Sequence, residues 1–121
     1  MSIDFKKVGK LLEAGDTRAV RKLLPKIRAQ VPKAAAEIEA QVLTSEGRFD
    51  EALDILRPYV EKYTLAEIGY YNVISFIRVL THVKAWDEAF SWCMKAIDFD
   101  DKRAEAPEQM YSILTNTDRW Q

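Results

Sequence analysis

The segment GRFDEALDIL, residues 47–56, has a counterpart in KAWDEAFSWCM, residues 84–94, where an aromatic residue, Asp-Glu-Ala and an apolar run follow in the same order. Aligning three segments on Val20, Ala52 and Ala89 gives spacings of 32 and 37 residues. A period in the thirties, with one helical hairpin in each unit, is typical of an α-solenoid. This repeat constrains the fold more strongly than any other feature of the sequence.

Five further positions of the repeat correspond when the segments are aligned in this way. Counted from the aligned residue, they are −12 (Val8, Ala40, Ile77), −9 (Leu11, Leu43, Leu80), −5 (Gly15, Gly47, Lys84), +4 (Leu24, Leu56, Cys93) and +7 (Ile27, Tyr59, Ala96). A small residue at the aligned position lets two helices approach closely, and the large residue one turn later fills the gap to the next hairpin.

Helical periodicity and turn residues predict seven helices. They form hairpins over about residues 2–31, 33–63 and 65–99, and a short capping helix follows over about residues 107–116. The joins are short, so helices that are neighbours in sequence are antiparallel. We therefore expect a single all-α domain over residues 1–121: an α-solenoid of about three antiparallel helical hairpins with a C-terminal capping helix, wound as a right-handed superhelix.

Polar residues at the expected helix starts are suited to capping free backbone N–H groups. Ser2 is predicted to cap the first helix and Asp16 or Thr17 the second. Asp50 and Asp87 are predicted to open the fourth and the sixth.

Three prolines are expected to lie within helices. Pro107 is expected as the first residue of the seventh helix, where its missing N–H costs nothing. Pro25 and Pro58 fall inside the second and fourth helices, where a proline removes a hydrogen bond. We favour a shared kink in both helices; a broken helix is the alternative.

The fifth helix, LAEIGYYNVISFIRVLTHVKA over residues 65–85, is expected to be longer than the others, which explains the 37-residue spacing. Thr64 and Glu67 form a capping box ahead of it. Its run of apolar residues leaves almost no polar face, which predicts a helix buried all round. The alternative is an apolar groove exposed for a partner.

The composition is that of an ordinary globular chain, with 48% apolar and 31% charged residues. No membrane span or signal peptide is expected, and a single cysteine suits the cytoplasm. Charge is uneven: residues 1–33 have nine basic and three acidic side chains, a balance of +6, and the remainder has −7. Solvated helix faces explain this; the alternative is a basic patch that meets an acidic partner or the acidic end of another copy.

Residues that carry chemistry are few. His82 is the only histidine, which is typical of a helix-end cation rather than a general base, and Cys93 occupies an apolar position of the repeat. The acidic run DFDD, residues 98–101, lacks the spacing of a calcium loop. We therefore expect no enzymatic activity, no cofactor and no bound metal.

GRFDEALDIL resembles the turn and second helix of a tetratricopeptide repeat, and KAWDEAFSWCMKAIDFD resembles them more loosely. The resemblance covers about residues 3–100. It implies a protein–protein interaction module, either an adaptor or a chaperone-like scaffold, that receives a peptide or helix of a partner in a concave groove. The candidate groove residues in this register are Glu37, Gln41, Thr44 and Ser45 from the third helix, and Tyr71, Ile74, Arg78, Thr81 and His82 from the fifth.

Two other functions compete with this hypothesis. The first is that of a self-assembling structural protein, a homo-oligomer that stacks head to tail through its basic N-terminal and acidic C-terminal ends. Nucleic-acid binding through the basic N-terminal third ranks lower, because Phe5 is the only stacking aromatic there and the whole chain is mildly acidic.

Arg78 is the strongest candidate for a binding residue. It is the one strong cation in the apolar-to-neutral run from Leu65 to Val83, and burying it unpaired would be costly, so it must reach water or a carboxylate. The groove hypothesis gives that carboxylate to a partner. The alternative is an internal salt bridge to Glu37 or Glu46.

Overall fold

The computed structural model describes residues 3–117, and every regular element in that range is a helix. The eight helices are α1 (Phe5–Glu13), α2 (Thr17–Gln30), α3 (Pro32–Ser45), α4 (Phe49–Lys62), α5 (Leu65–Ile68), α6 (Tyr70–His82), α7 (Trp86–Phe99) and α8 (Glu105–Thr117). The prediction of an all-α fold built from consecutively packed helices is confirmed.

The chain divides into two compact units; the first ends at Tyr59 and the second begins at Val60, within α4. In the first unit, α2 packs against both α1 and α3. In the second unit, α6 packs against α5, α7 and α8, and α7 also packs against α8. The single domain and the right-handed superhelix concern the arrangement of the whole chain and stay predictions.

The first helix of each hairpin ends in the same turn. The second residue after the helix end is left-handed in all three cases, with φ of 73° at Gly15, 75° at Gly47 and 63° at Lys84. The next residue donates its N–H back to the carbonyl five positions earlier, which defines a Schellman motif. That bond is 2.9 Å long in each turn, from Asp16 to Leu11, from Arg48 to Leu43 and from Ala85 to Leu80.

The second helix of each hairpin has the same length and register. Helices α2, α4 and α7 all contain 14 residues. Each begins three residues before the aligned small residue and ends ten residues after it. Val20, Ala52 and Ala89 are all 0% exposed. The repeat register predicted from sequence is therefore confirmed in both backbone and burial.

Apolar residues from α1, α2 and α3 form the core of the first unit. The buried members are Val8, Val20, Leu24, Ile27, Ala35, Ile38 and Val42. In the second unit, the ring of Phe76 on α6 meets Trp92 on α7 edge to face, with 5.4 Å between ring centroids. Ile113 of α8 is fully buried.

The fifth helix is not continuous, which corrects the prediction over residues 65–85. Gly69 separates α5 from α6 with φ 87° and ψ 147°, a conformation that is open to glycine and strained for other residues. The spacing from Ala52 to Ala89 is five residues longer than that from Val20 to Ala52, and the four residues of α5 together with Gly69 account for this difference. The capping box is confirmed: Glu67 N–H bonds to the Thr64 hydroxyl, and Thr64 N–H to the Glu67 carboxylate.

The predicted N-caps are confirmed at one position and wrong at two. Asp16 caps α2 by accepting a hydrogen bond of 3.2 Å from Ala19 N. Asp50 and Asp87 instead lie in the first turns of α4 and α7. A carboxylate in the first turn interacts favourably with the helix dipole, but it is not the N-cap of the helix. Ser2 lies outside the described residues, and α1 is capped by Asp4.

The interior prolines do not interrupt their helices. Helices α2 and α4 continue through Pro25 and Pro58, so the broken-helix alternative is wrong. The shared kink stays a prediction. Pro107 is the third residue of α8, not the first.

Two substitutions in the first unit test the register. We expect Ala52→Trp to lower the free energy of unfolding by about 3 kcal/mol or more, because a fully buried alanine has no room for an indole. Val20→Ala leaves only a small cavity and should cost about 1–2 kcal/mol. Thermal and urea melts of both variants measure the difference; an Ala52→Trp melt close to wild type would contradict the register.

A second pair of substitutions tests the left-handed turns. Lys84→Gly should raise the free energy of unfolding by about 0.5–1 kcal/mol, because glycine adopts φ of 63° without the strain that a lysine Cβ imposes. The matched change Gly47→Ala should lower it by about 1 kcal/mol. A Cβ at Gly47 would meet no atom within 4 Å, so the cost is conformational alone. Equal effects of the two changes on urea denaturation would rule this out.

Candidate functional site

The predicted groove residues lie on two helices, one in each unit. Helix α3 of the first unit carries Glu37, Gln41, Thr44 and Ser45, and α6 of the second unit carries Tyr71, Ile74, Arg78, Thr81 and His82. Each set is described within its own unit.

On α3, two of the four residues are engaged by neighbours in the first unit. The Glu37 carboxylate accepts hydrogen bonds from the Tyr59 hydroxyl and, at 3.0 Å, from Lys33 Nζ. The Thr44 hydroxyl donates to the Ala40 carbonyl one turn earlier, at 2.7 Å. Glu37 therefore belongs to an internal network.

The other two α3 residues are exposed. Gln41 and Ser45 are four residues apart and lie on one face of the helix. They offer neutral hydrogen-bonding groups at the surface.

Helix α6 presents one exposed strip along its length. Tyr71, Ser75, Arg78 and His82 are exposed, and their spacings of four, three and four residues place them on one helical face. We name these four residues the α6 strip. The expectation of a helix buried all round is therefore wrong along this face.

Ile74 corrects the predicted groove. It is only 2% exposed, so its side chain offers no surface to a partner, and the neighbouring Ser75 takes its place on the exposed face. Thr81 is partly buried, and its hydroxyl donates to the Arg78 carbonyl at 2.7 Å. Of the five α6 residues predicted from sequence, Tyr71, Arg78 and His82 therefore lie on the exposed face, and Ile74 and Thr81 lie one residue away from it.

The side chain of Arg78 extends from the exposed face of α6. Among residues 60–117 no carboxylate pairs with it. The two acids considered as internal partners are bonded within the first unit, Glu37 as described above and Glu46 to both Arg21 and Arg48. The hydrogen bond from Arg21 lowers the pKa of Glu46, so this carboxylate is ionised at neutral pH.

One end of the α6 strip is fixed by Arg103, on the connection between α7 and α8. Its Nη1 donates to the Tyr71 hydroxyl at 2.7 Å and its Nε to Asp100 at 3.0 Å. The guanidinium carbon lies 5.0 Å from the Tyr71 ring centroid and 5.3 Å from that of Tyr70. Ala106 N donates to the Tyr70 hydroxyl at 2.8 Å. Tyr71, although 61% exposed, is therefore held in one orientation.

The electrostatics of this cluster keep Arg103 charged and Tyr70 neutral. The hydrogen bond to Asp100 raises the pKa of Arg103, so the guanidinium stays charged. Burial raises the pKa of Tyr70, so its hydroxyl stays neutral and accepts the bond from Ala106. Sequence reasoning missed Arg103 because it lies 32 residues from Tyr71 and outside the repeat.

Comparison with protein-family models, with curated proteins and with solved structures finds no match to this chain. Within residues 3–117, no helix has both the length and the apolar character that crossing a membrane requires. The same residues contain no group of three histidine, cysteine or acidic side chains placed to hold a metal ion.

The thiol of Cys93 is fully buried in α7, as expected for an apolar position of the repeat. Burial raises its pKa to about 11. At pH 8 the folded thiol is thus almost wholly protonated, whereas an unfolded cysteine is substantially thiolate.

We therefore expect iodoacetamide at pH 8 to modify Cys93 on the order of 100-fold more slowly in the folded protein than in urea. Mass spectrometry of timed samples measures both rates, with Cys93→Ser as the unlabelled control. Because the raised pKa belongs to the folded state, stability should also fall as pH rises above about 8.5, where only the unfolded thiol ionises. Equal alkylation rates in the two states would contradict the burial of the thiol.

Proposed function

We propose that this chain is a non-enzymatic protein-interaction module, an adaptor or chaperone-like scaffold related to tetratricopeptide repeats, whose main contact surface is the α6 strip. The proposal rests on the environment of Arg78. It is an exposed cation without a carboxylate partner among residues 60–117, on a helix that is otherwise largely buried.

The chemistry of the strip indicates the partner. A guanidinium binds a carboxylate through two parallel hydrogen bonds, which gives both affinity and orientation. Tyr71, seven residues before Arg78, presents a ring that Arg103 already holds, so little conformational entropy is lost when it packs against a partner. The combination suits a peptide or helix that carries an acidic residue about two turns from an apolar one.

The α3 surface supports the same function within the first unit. Gln41 and Ser45 are exposed and uncharged, so they suit hydrogen bonding to the backbone or polar side chains of a bound segment.

A reducing compartment such as the cytoplasm is the setting we propose, because the chain has one cysteine and that thiol is buried.

The substitution Arg78→Glu tests this function. It should abolish capture of the partner from native cell extract without lowering the melting temperature, because the side chain is exposed and pairs with no carboxylate among residues 60–117. Capture is measured by immobilising wild-type and variant protein and quantifying retained proteins by mass spectrometry. An internal salt bridge would instead make Arg78→Glu lower the melting temperature through like-charge repulsion.

Two matched variants sharpen the result. Lys102→Glu makes the same charge change at another exposed position of the second unit and should retain the partner. Arg78→Lys keeps the charge but loses the bidentate geometry, so it should retain the partner weakly. If Arg78→Glu melts normally and retains the same proteins as wild type, the α6 strip is not the contact surface.

A further inference from the structure

A cleft of about 170 Å³ lies between α1 and α2 in the first unit. Its apolar lining comes from Ile3, Val8, Leu23 and Ile27. Known ligand sites occupy about 300–1,000 Å³, so this cleft is too small for a cofactor and suits a single apolar side chain. Its lining contains no aromatic ring on which a nucleic-acid base stacks.

The polar lining of the cleft carries an excess of positive charge. Lys7 from α1 and Lys26 from α2 both line it, and neither pairs with a carboxylate in the part of the chain that the structure describes. Asp4 also lines it, but its carboxylate accepts the capping bond from the backbone N–H of Lys7. The cleft therefore suits an apolar side chain that is flanked by acidic residues.

The second unit presents such a segment. Phe99, the last residue of α7, is 45% exposed and lies in the sequence IDFDD. Asp98 and Asp101 are exposed and pair with no described cation, whereas Asp100 bonds to Arg103. Asp98 also lies in the last turn of α7, where the helix dipole disfavours a negative charge.

We propose that Phe99 of one copy inserts into the α1–α2 cleft of a second copy, with Asp98 and Asp101 meeting Lys7 and Lys26. The contact joins two different surfaces, so it is heterologous and propagates head to tail unless a ring closes. The apolar anchor gives specificity, and the ion pairs make the association sensitive to salt. The surfaces are distinct from the α6 strip, so this inference goes beyond the proposed function and stands or falls separately.

Sedimentation velocity on the full chain measures the association directly. One small anchor with ion pairs makes a transient contact, and we expect a dissociation constant on the order of 100 µM at low salt. The wild type should form dimers and longer species as its concentration rises towards about 1 mM, and raising the salt from about 50 mM to about 500 mM should weaken this at least tenfold.

Two variants each remove one side of the contact. A cleft variant, Lys7→Glu/Lys26→Glu, and an anchor variant, Phe99→Ser, should each be monomeric alone. Mixed together they should form a one-to-one dimer and nothing larger, because the cleft variant keeps its Phe99 and the anchor variant keeps its cleft. Phe99 and Lys7 are exposed and Lys26 is half-buried, so neither variant changes a fully buried side chain, and circular dichroism melts check that both variants stay folded.

Matched controls separate the site from general charge and hydrophobicity. Lys10→Glu/Lys22→Glu changes two exposed lysines of the same helices that do not line the cleft, and Met94→Ser removes another exposed apolar residue of α7. Both should associate like the wild type. A wild type that is monomeric at about 1 mM overturns the proposal. So does a mixture of the two variants that stays monomeric, or a dimer indifferent to salt.

Discussion

The architecture of this chain depends on a backbone constraint, the left-handed residue that ends the first helix of each hairpin. At Gly15, Gly47 and Lys84 a positive φ turns the chain, and the Schellman bonds satisfy carbonyls that a helix end would otherwise leave free. Because the second helix starts a fixed distance later, the turn sets which of its residues face inward. The common bounds of α2, α4 and α7 follow from that shared geometry.

The turns and the repeat could be predicted from sequence because both are local. In the first two hairpins, a glycine five residues before a small residue is sufficient to place the turn. Lys84 shows that the surrounding hairpin imposes the same left-handed conformation on a residue that does not favour it. Gly69 could not be placed in this way. The apolar pattern runs through it without interruption, and a helical periodicity does not reveal a single residue at φ 87° and ψ 147°.

The candidate site was predicted only in part, because it depends on contacts distant in sequence. Helix α6 packs against both α7 and α8, so its buried face is wide enough to include Ile74, and what remains exposed is a narrow strip. The resemblance that placed Ile74 in a groove assumed a single inward face. The orientation of Tyr71 depends on Arg103, which no periodicity connects to α6.

The distribution of ion pairs explains why the excess of positive charge lies on the lysines of α1 and α2. Arg21 and Arg28 on α2 pair with Glu46 and Glu39, so the acids of α3 and its C-cap neutralise that part of α2. The lysines on α1 and elsewhere on α2 pair with no carboxylate among residues 3–117, and the basic excess of the N-terminal third remains on their surface. Salt screens such charge beyond about 8 Å at physiological ionic strength. It therefore acts on a partner only in close contact, which requires a fitted surface beside the charge as well as the charge itself.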